Sequence, residues 1–265
     1  MISEFTQKKV PFWSVMIAIG VGNFVAALSS TTVIIMLPVF MKEFSSDIVT
    51  VQWVLTGYML SSGIIAPLIG YLADRLSLKR TYLFAILGFG LTSLLAGLSQ
   101  SIAMLIGLRI LQGCFGGMMY PLTMSLVHQV IDKERQAFAL SIWSVSGVLA
   151  PTFGPTVAGL LTDALGWQWV FYLVLPFALL AFLLAARSIP YYIIPQEQES
   201  KFDYVGLFSA IIGTYCLLYV FSNLSRWEFF SVECLGLLTV GTVTTAYFVY
   251  HELHCPAPLL NLNVL

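Results

Sequence analysis

The chain has 265 residues, of which 58% are hydrophobic and only 9% charged, with a mean hydropathy of +0.89 and a formal net charge of -1. A soluble domain carries roughly a quarter charged residues to cover its surface, so a chain this poor in charge uses lipid as its solvent. With near-zero net charge and no loop long enough for a basic domain, nothing in it addresses a nucleic acid.

A hydrocarbon core of ~30 Å takes about 20 helical residues at ~1.5 Å each. On that template the sequence predicts an all-α, polytopic membrane protein with about eight transmembrane helices, near 13–40, 51–73, 80–98, 102–127, 136–164, 168–187, 204–223 and 232–251. The first follows Lys8 and Lys9 as a secretory signal would. Its apolar run continues to Phe40, well past the ~7–15 residues of a cleavable segment, so it reads as a retained helix. Between the second and third spans, GYLADRLSLKR (70–80) supplies Gly70 for close backbone approach, Asp74 at a helix end and a basic cluster of Arg75, Lys79 and Arg80.

The fourth span holds Arg109 roughly 10 Å deep at helical rise. A cation there costs a few kcal/mol unless it faces the bundle interior, water or a partner; alternatively it snorkels to the outer headgroups. Asp163 is the acid nearest in predicted height. None of the thirteen acids falls in the central part of a span, so the protonatable carboxylate expected of proton-driven transport is missing.

In the fifth span, Ala150, Gly154, Ala158 and Thr162 recur every fourth residue, as do Gly147, Pro151, Pro155 and Gly159. Two adjacent faces therefore lack bulk and permit close helix contact, while both prolines remove backbone donors and should kink the helix. Residues 188–203, with two prolines and a polar run, are the single candidate linker. They divide a six-helix bundle (1–187) from a helical hairpin and lead-in (204–265).

At the end of the last span, HELHC (251–255) sets His251, His254 and Cys255 on one helical face, but it lacks the second histidine of the HExxH pattern and Pro256 follows. It reads as an interfacial helix end, with no metal and no cofactor expected. The four cysteines, Cys114, Cys216, Cys234 and Cys255, form no disulfide framework. With the N-terminus inside, cytoplasmic segments carry Lys8, Lys9, Arg75, Lys79, Arg80, Lys133, Arg135, Arg187 and Lys201, against Lys42 and Arg226 outside. The positive-inside rule then puts both termini in the cytoplasm of a cell (inner or plasma) membrane protein.

Several of these segments together resemble the major facilitator superfamily, specifically its fourteen-span drug:proton antiporter branch. Gly70, Leu72, Asp74, Arg75, Lys79 and Arg80 match the loop pattern G-x-L-a-D-r-x-G-r-k-r, with Ser77 in place of a glycine and Leu78 of an arginine. Arg109, Gln112 and Gly113 match R-x-x-Q-G, which the family links to proton transfer. Ala150, Gly154, Pro155 and Gly159 follow G-x-x-x-G-P-x-x-G-G, and Trp167 to Phe171 with Pro176 is similar to W-R-W-x-F…P. In the first span the family typically carries L-D-x-T-x-x-N-x-A-L-P. Here Ser29 stands at the aspartate and Ile34 at the asparagine, which puts proton coupling in doubt.

The resemblance implies the first half of a transporter plus the inserted pair of helices, the second half being absent, so the polypeptide is expected to be truncated or to need a second chain. It implies secondary efflux of amphipathic small molecules through a pathway touched by Ser29, Arg109, Gln112, Gly113, Tyr120 and Trp143. The 70–80 loop would act as a conformational switch, and Gly147, Pro151, Gly154, Pro155 and Gly159 would form the antiporter-motif helix. The partners are then a small organic substrate and the bilayer. Two alternatives stay open: a specific metabolite or anion exporter or uniporter, and a non-transporting fragment or subunit. No nucleophile, base and orienting acid cluster, and no nucleotide loop occurs, so no enzyme is expected.

Overall fold

Helix ends are set by short polar residues between the apolar runs. Asp47 accepts from the Thr50 amide at 2.6 Å, Ser101 from Met104 at 3.2 Å and Ser231 from Cys234 at 3.2 Å, each satisfying a donor that the first helical turn leaves open. Gly166, at φ +100°, ends the longest helix in a conformation that side chains with a Cβ rarely adopt.

The computed structural model describes residues 11–65, 68–69, 72, 77–190, 203–223 and 231–255. These residues form α1 (Phe12–Glu43), α2 (Ile48–Ile64), α3 (Leu78–Gly97), α4 (Ile102–Val130), α5 (Lys133–Leu165), α6 (Gln168–Tyr172), α7 (Val174–Ser188), α8 (Tyr204–Asn223) and α9 (Val232–His254). The chain is all-α over the described residues. Taking α6 and α7 in series, seven stretches are long and apolar enough to cross a membrane, and α2 is a shorter apolar helix of 17 residues.

Most spans fall where hydropathy puts them, with two departures. The second predicted span, 51–73, corresponds to a helix that begins three residues earlier and is interrupted after Ile64, where Ile65 caps it with bonds back to Ser61 and Gly63; Leu68, Ile69 and Leu72 are helical again. The sixth is two helical pieces meeting at Leu173 rather than one.

α1 lies at the centre, packed on α5, α7, α4 and α2; α4 also packs on α2 and α3, and α3 on α7. The α8–α9 hairpin attaches through α8 to α2, where Trp53 meets Tyr219 at 5.9 Å. The apolar interior forms two layers. One is built from Val15, Met16, Ile19, Val25, Tyr58, Tyr82, Phe89, Met118, Met119 and Leu122. The other gathers Val33, Met36, Phe40, Val51, Val54, Leu105, Trp167 and Phe171, with Trp167 edge-on to Phe40 at 5.4 Å. On α1, α2 and α4 alike the sequence passes from one layer to the other through a single polar level.

Candidate functional site

That level holds Arg109. Its guanidinium has no solvent exposure, which rules out snorkelling. Nε donates to the Val54 carbonyl at 3.2 Å, and Nη1 donates to Ser29 Oγ at 2.9 Å and to Gln112 Oε1 at 2.8 Å. The ring of Tyr58 lies 4.1 Å from the guanidinium carbon, a cation–π geometry that strengthens when water is excluded. Arg109 and Gln112 project together because they are three apart on one helix.

Gly113 is what lets this level close. A Cβ there would collide with Ser61 Oγ and with the Tyr58 carbonyl of α2, so the glycine permits the approach that delivers Val54 and Tyr58 to the cation. Among the described residues no carboxylate pairs with Arg109, and Asp163 is exposed elsewhere on α5. Two donors in the cluster, Arg109 Nη2 and Gln112 Nε2, are buried without an acceptor. A buried donor left unpaired costs about 1–3 kcal/mol, more beside a full charge.

Tyr120 and Trp143 sit apart from this level. Their rings meet at 4.6 Å, Trp143 Nε1 donates to Thr123 Oγ1 at 3.0 Å, and Tyr120 is 57% exposed while Trp143 is buried. Tyr120 is thus the part of the sequence-nominated pathway that reaches an open surface, whereas Arg109 and Gln112 are enclosed by α1, α2 and α4. Asn23 is an organising residue that the sequence did not nominate: buried in α1, it donates to the Trp143 carbonyl and to Ser146 Oγ, both at 3.1 Å, fixing α1 to α5. An amide inside an otherwise apolar span was its one available signal.

The two small-residue rows of α5 have different surroundings. Ala150, Gly154 and Ala158 are buried, a Cβ at Gly154 would come within 3.0 to 3.1 Å of Thr31 and Leu28 on α1, and Thr162 contacts Met36 at 3.2 Å. The other row is looser. Gly147 adjoins Asn23, but Pro151 is exposed, Pro155 is half-buried and Gly159 faces open space.

In the 70–80 loop, Gly70, Asp74 and Arg75 lie outside the described residues. Lys79 is buried and donates to the Ala186 carbonyl at 2.6 Å, capping the end of α7, and Arg80 is exposed. Ser77, where the loop pattern has glycine, stands at φ +71° while its side chain accepts from the Arg80 amide at 3.4 Å. The position keeps the backbone of a glycine without having one.

A family model described as Major Facilitator Superfamily matches residues 19–261. The chain belongs to the Major Facilitator Superfamily. Within the superfamily it is similar to the tetracenomycin C resistance and export protein of Streptomyces glaucescens, 30% identical across 94% of this chain and 46% of that protein. It is also similar to the multidrug export protein EmrB of Escherichia coli K12, 27% identical across 94% and 48%. The chain spans about half the length of these relatives. A crystal structure of the POT family transporter PepTSo shares the fold with a TM-score of 0.64 at 16% identity, over 89% of this chain and 52% of that one. The protein is therefore a multi-pass membrane protein of a transporter superfamily, similar in sequence to multidrug exporters.

Proposed function

We propose that this chain forms the substrate-handling first bundle, 1–187, and inserted hairpin of a secondary exporter of amphipathic small molecules, acting with a second helical bundle. In this reading residues 188–203 link the two units, both termini are cytoplasmic, and the protein works in the cell membrane. The similarity to export proteins supports the substrate class.

The observation that carries the mechanism is the 2.9 Å contact between Arg109 and Ser29. The resemblance implies an aspartate at that position of the first span, where it would lie against the guanidinium as an exchangeable proton carrier. Serine accepts the same hydrogen bond but cannot ionise at physiological pH, so Arg109 keeps its charge through the cycle. Proton exchange through this pair is absent from the proposed cycle. The two unfilled donors, Arg109 Nη2 and Gln112 Nε2, favour a second reading in which the transported compound is anionic or carries a hydrogen-bond acceptor. Opening between α1, α2 and α4 would bring that acceptor to the buried cation. Tyr120 and Trp143 would supply an aromatic surface on the way.

The test is accumulation of an amphipathic cationic dye and of an amphipathic anionic dye, in cells making the chain alone or together with a second six-helix bundle from a relative. Lowered cationic-dye accumulation supports multidrug efflux, and lowering confined to the anionic dye supports the second reading. Equal accumulation of both in every case defeats the export proposal. In the same assay Ser29→Asp should make transport depend on a proton gradient. A variant that transports without such dependence rejects the assignment of the coupling position.

A further inference from the structure

A second cluster of charged and ligand-bearing side chains lies where the two ends of the α8–α9 hairpin meet. Asp203 precedes α8 and its Oδ1 accepts from the Gly206 amide at 2.8 Å, so the carboxylate is fixed as the helix cap. α9 runs back antiparallel and sets its last turn beside that cap. His251 Nε2 lies 2.9 Å from both Oδ1 and Oδ2 of Asp203, across 48 residues of sequence. One turn further on, Cys255 closes α9 with extended backbone, at φ -74° and ψ 132°. Its sulfur, the imidazole and the carboxylate all lie within 4.8 Å of one another. Asp203 is 6% exposed and His251 23%. A second carboxylate, Glu252, is buried next to Asp203 across Gly206.

We propose that Asp203, His251 and Cys255 form a site for a zinc-class divalent transition metal that joins the two ends of the hairpin. The donor set is one carboxylate oxygen, one imidazole nitrogen and one sulfur, the mixture that tetrahedral zinc takes, with the fourth position open to water. The placement of His251 Nε2 between the two carboxylate oxygens is where a cation fits in place of a shared proton. Metal–ligand bonds of about 2.0–2.3 Å at tetrahedral angles require donor separations of about 3.3–3.6 Å. Asp203 and His251 open slightly to reach that, and Cys255 closes on them by about 1 Å. Cys255 can make that move because its backbone has already left the helix. HELHC supplies the imidazole and the sulfur, but its own carboxylate, Glu252, is not among the three donors that lie within 4.8 Å of one another; antiparallel packing of α8 and α9 brings Asp203 in as the third. Binding releases the thiol proton to solvent and leaves the thiolate on the metal.

The site stands independently of the export reading, and its test uses no transport measurement. The purified chain in detergent is titrated with cobalt, which reports thiolate ligation by a charge-transfer absorption, and in parallel with zinc while its unfolding midpoint is followed. The expected result is one cobalt per chain with that absorption, and a zinc-dependent rise in midpoint. Cys255→Ser should abolish the absorption and the rise while its metal-free midpoint matches that of the parent, showing that the loss is not unfolding. His251→Ala and Asp203→Asn should weaken cobalt binding by at least the ~10–100-fold that loss of even an outer-shell partner costs. His254→Ala and Cys234→Ser should bind as the parent does. The proposal is overturned by a parent chain that shows no charge-transfer absorption with excess cobalt, by absorption that survives Cys255→Ser, or by affinity unchanged in His251→Ala.

Discussion

Arg109 and Asp203 both have largely buried side chains, yet their polar atoms are satisfied in different ways. Arg109, two turns into α4, is held by a backbone carbonyl, a hydroxyl, an amide and an aromatic face, with one nitrogen to spare. Asp203, where the two ends of the hairpin meet, is met by an imidazole and by the open amide of its own helix. The first arrangement keeps a charge inside a bundle with no carboxylate paired to it among the described residues, which costs stability. The second is a helix-end cluster whose charge lowers the energy of the element carrying it.

The largest expected effect breaks the seam that makes the Arg109 level possible. Gly113→Val should destabilise the bundle by about 3 kcal/mol or more, since its side chain meets α2 backbone that cannot yield, and should appear as loss of folded protein in size-exclusion and thermal assays. Gly159→Ala, in the open row of α5, is the matched control and should be neutral or stabilising by up to ~1 kcal/mol. Next, Arg109→Met should raise the unfolding free energy by about 1–3 kcal/mol while abolishing transport in the two-bundle assay, because it removes an unpaired buried charge at nearly constant shape. A destabilised Arg109→Met would mean that the cation is structural, and the contrast between the two clusters would collapse.

Asp203→Ala should act in the opposite direction, lowering stability by about 1–2 kcal/mol through the lost cap and the lost partner of His251, read as a lower midpoint in metal-free buffer. The smallest change sharpens a third point. Ser77→Gly relieves a positive φ and gives up only a weak 3.4 Å cap, so a gain of about 1 kcal/mol is expected in the same melting experiment.

Much of the fold can be read along the chain because several apolar runs are separated by a polar residue that also caps a helix, as at Asp47, Ser101 and Ser231. The end of α2 could not, since Ile64 and Ile65 are as apolar as what precedes them and hydropathy carries no record of where backbone bonding closes. Arg109 was conspicuous as a charge inside a span, and Ser29 as a departure from a pattern. Their contact was invisible, because it depends on which faces of α1 and α4 meet. Asn23 and Tyr58 carry no such mark, since an amide or a phenol in a span signals little until its partner is known. The carboxylate that meets His251 is hidden for the same reason: Asp203 reaches HELHC only through the hairpin.

The end of α7 is tied twice. Lys79 from the start of α3 holds the Ala186 carbonyl, and Ser14 from the first turn of α1 hydrogen-bonds Ser188. Separating the end of α7 from the bundle therefore means breaking a bond to α3 and a bond to α1 together, so these three helix ends are fastened to one another as a single knot.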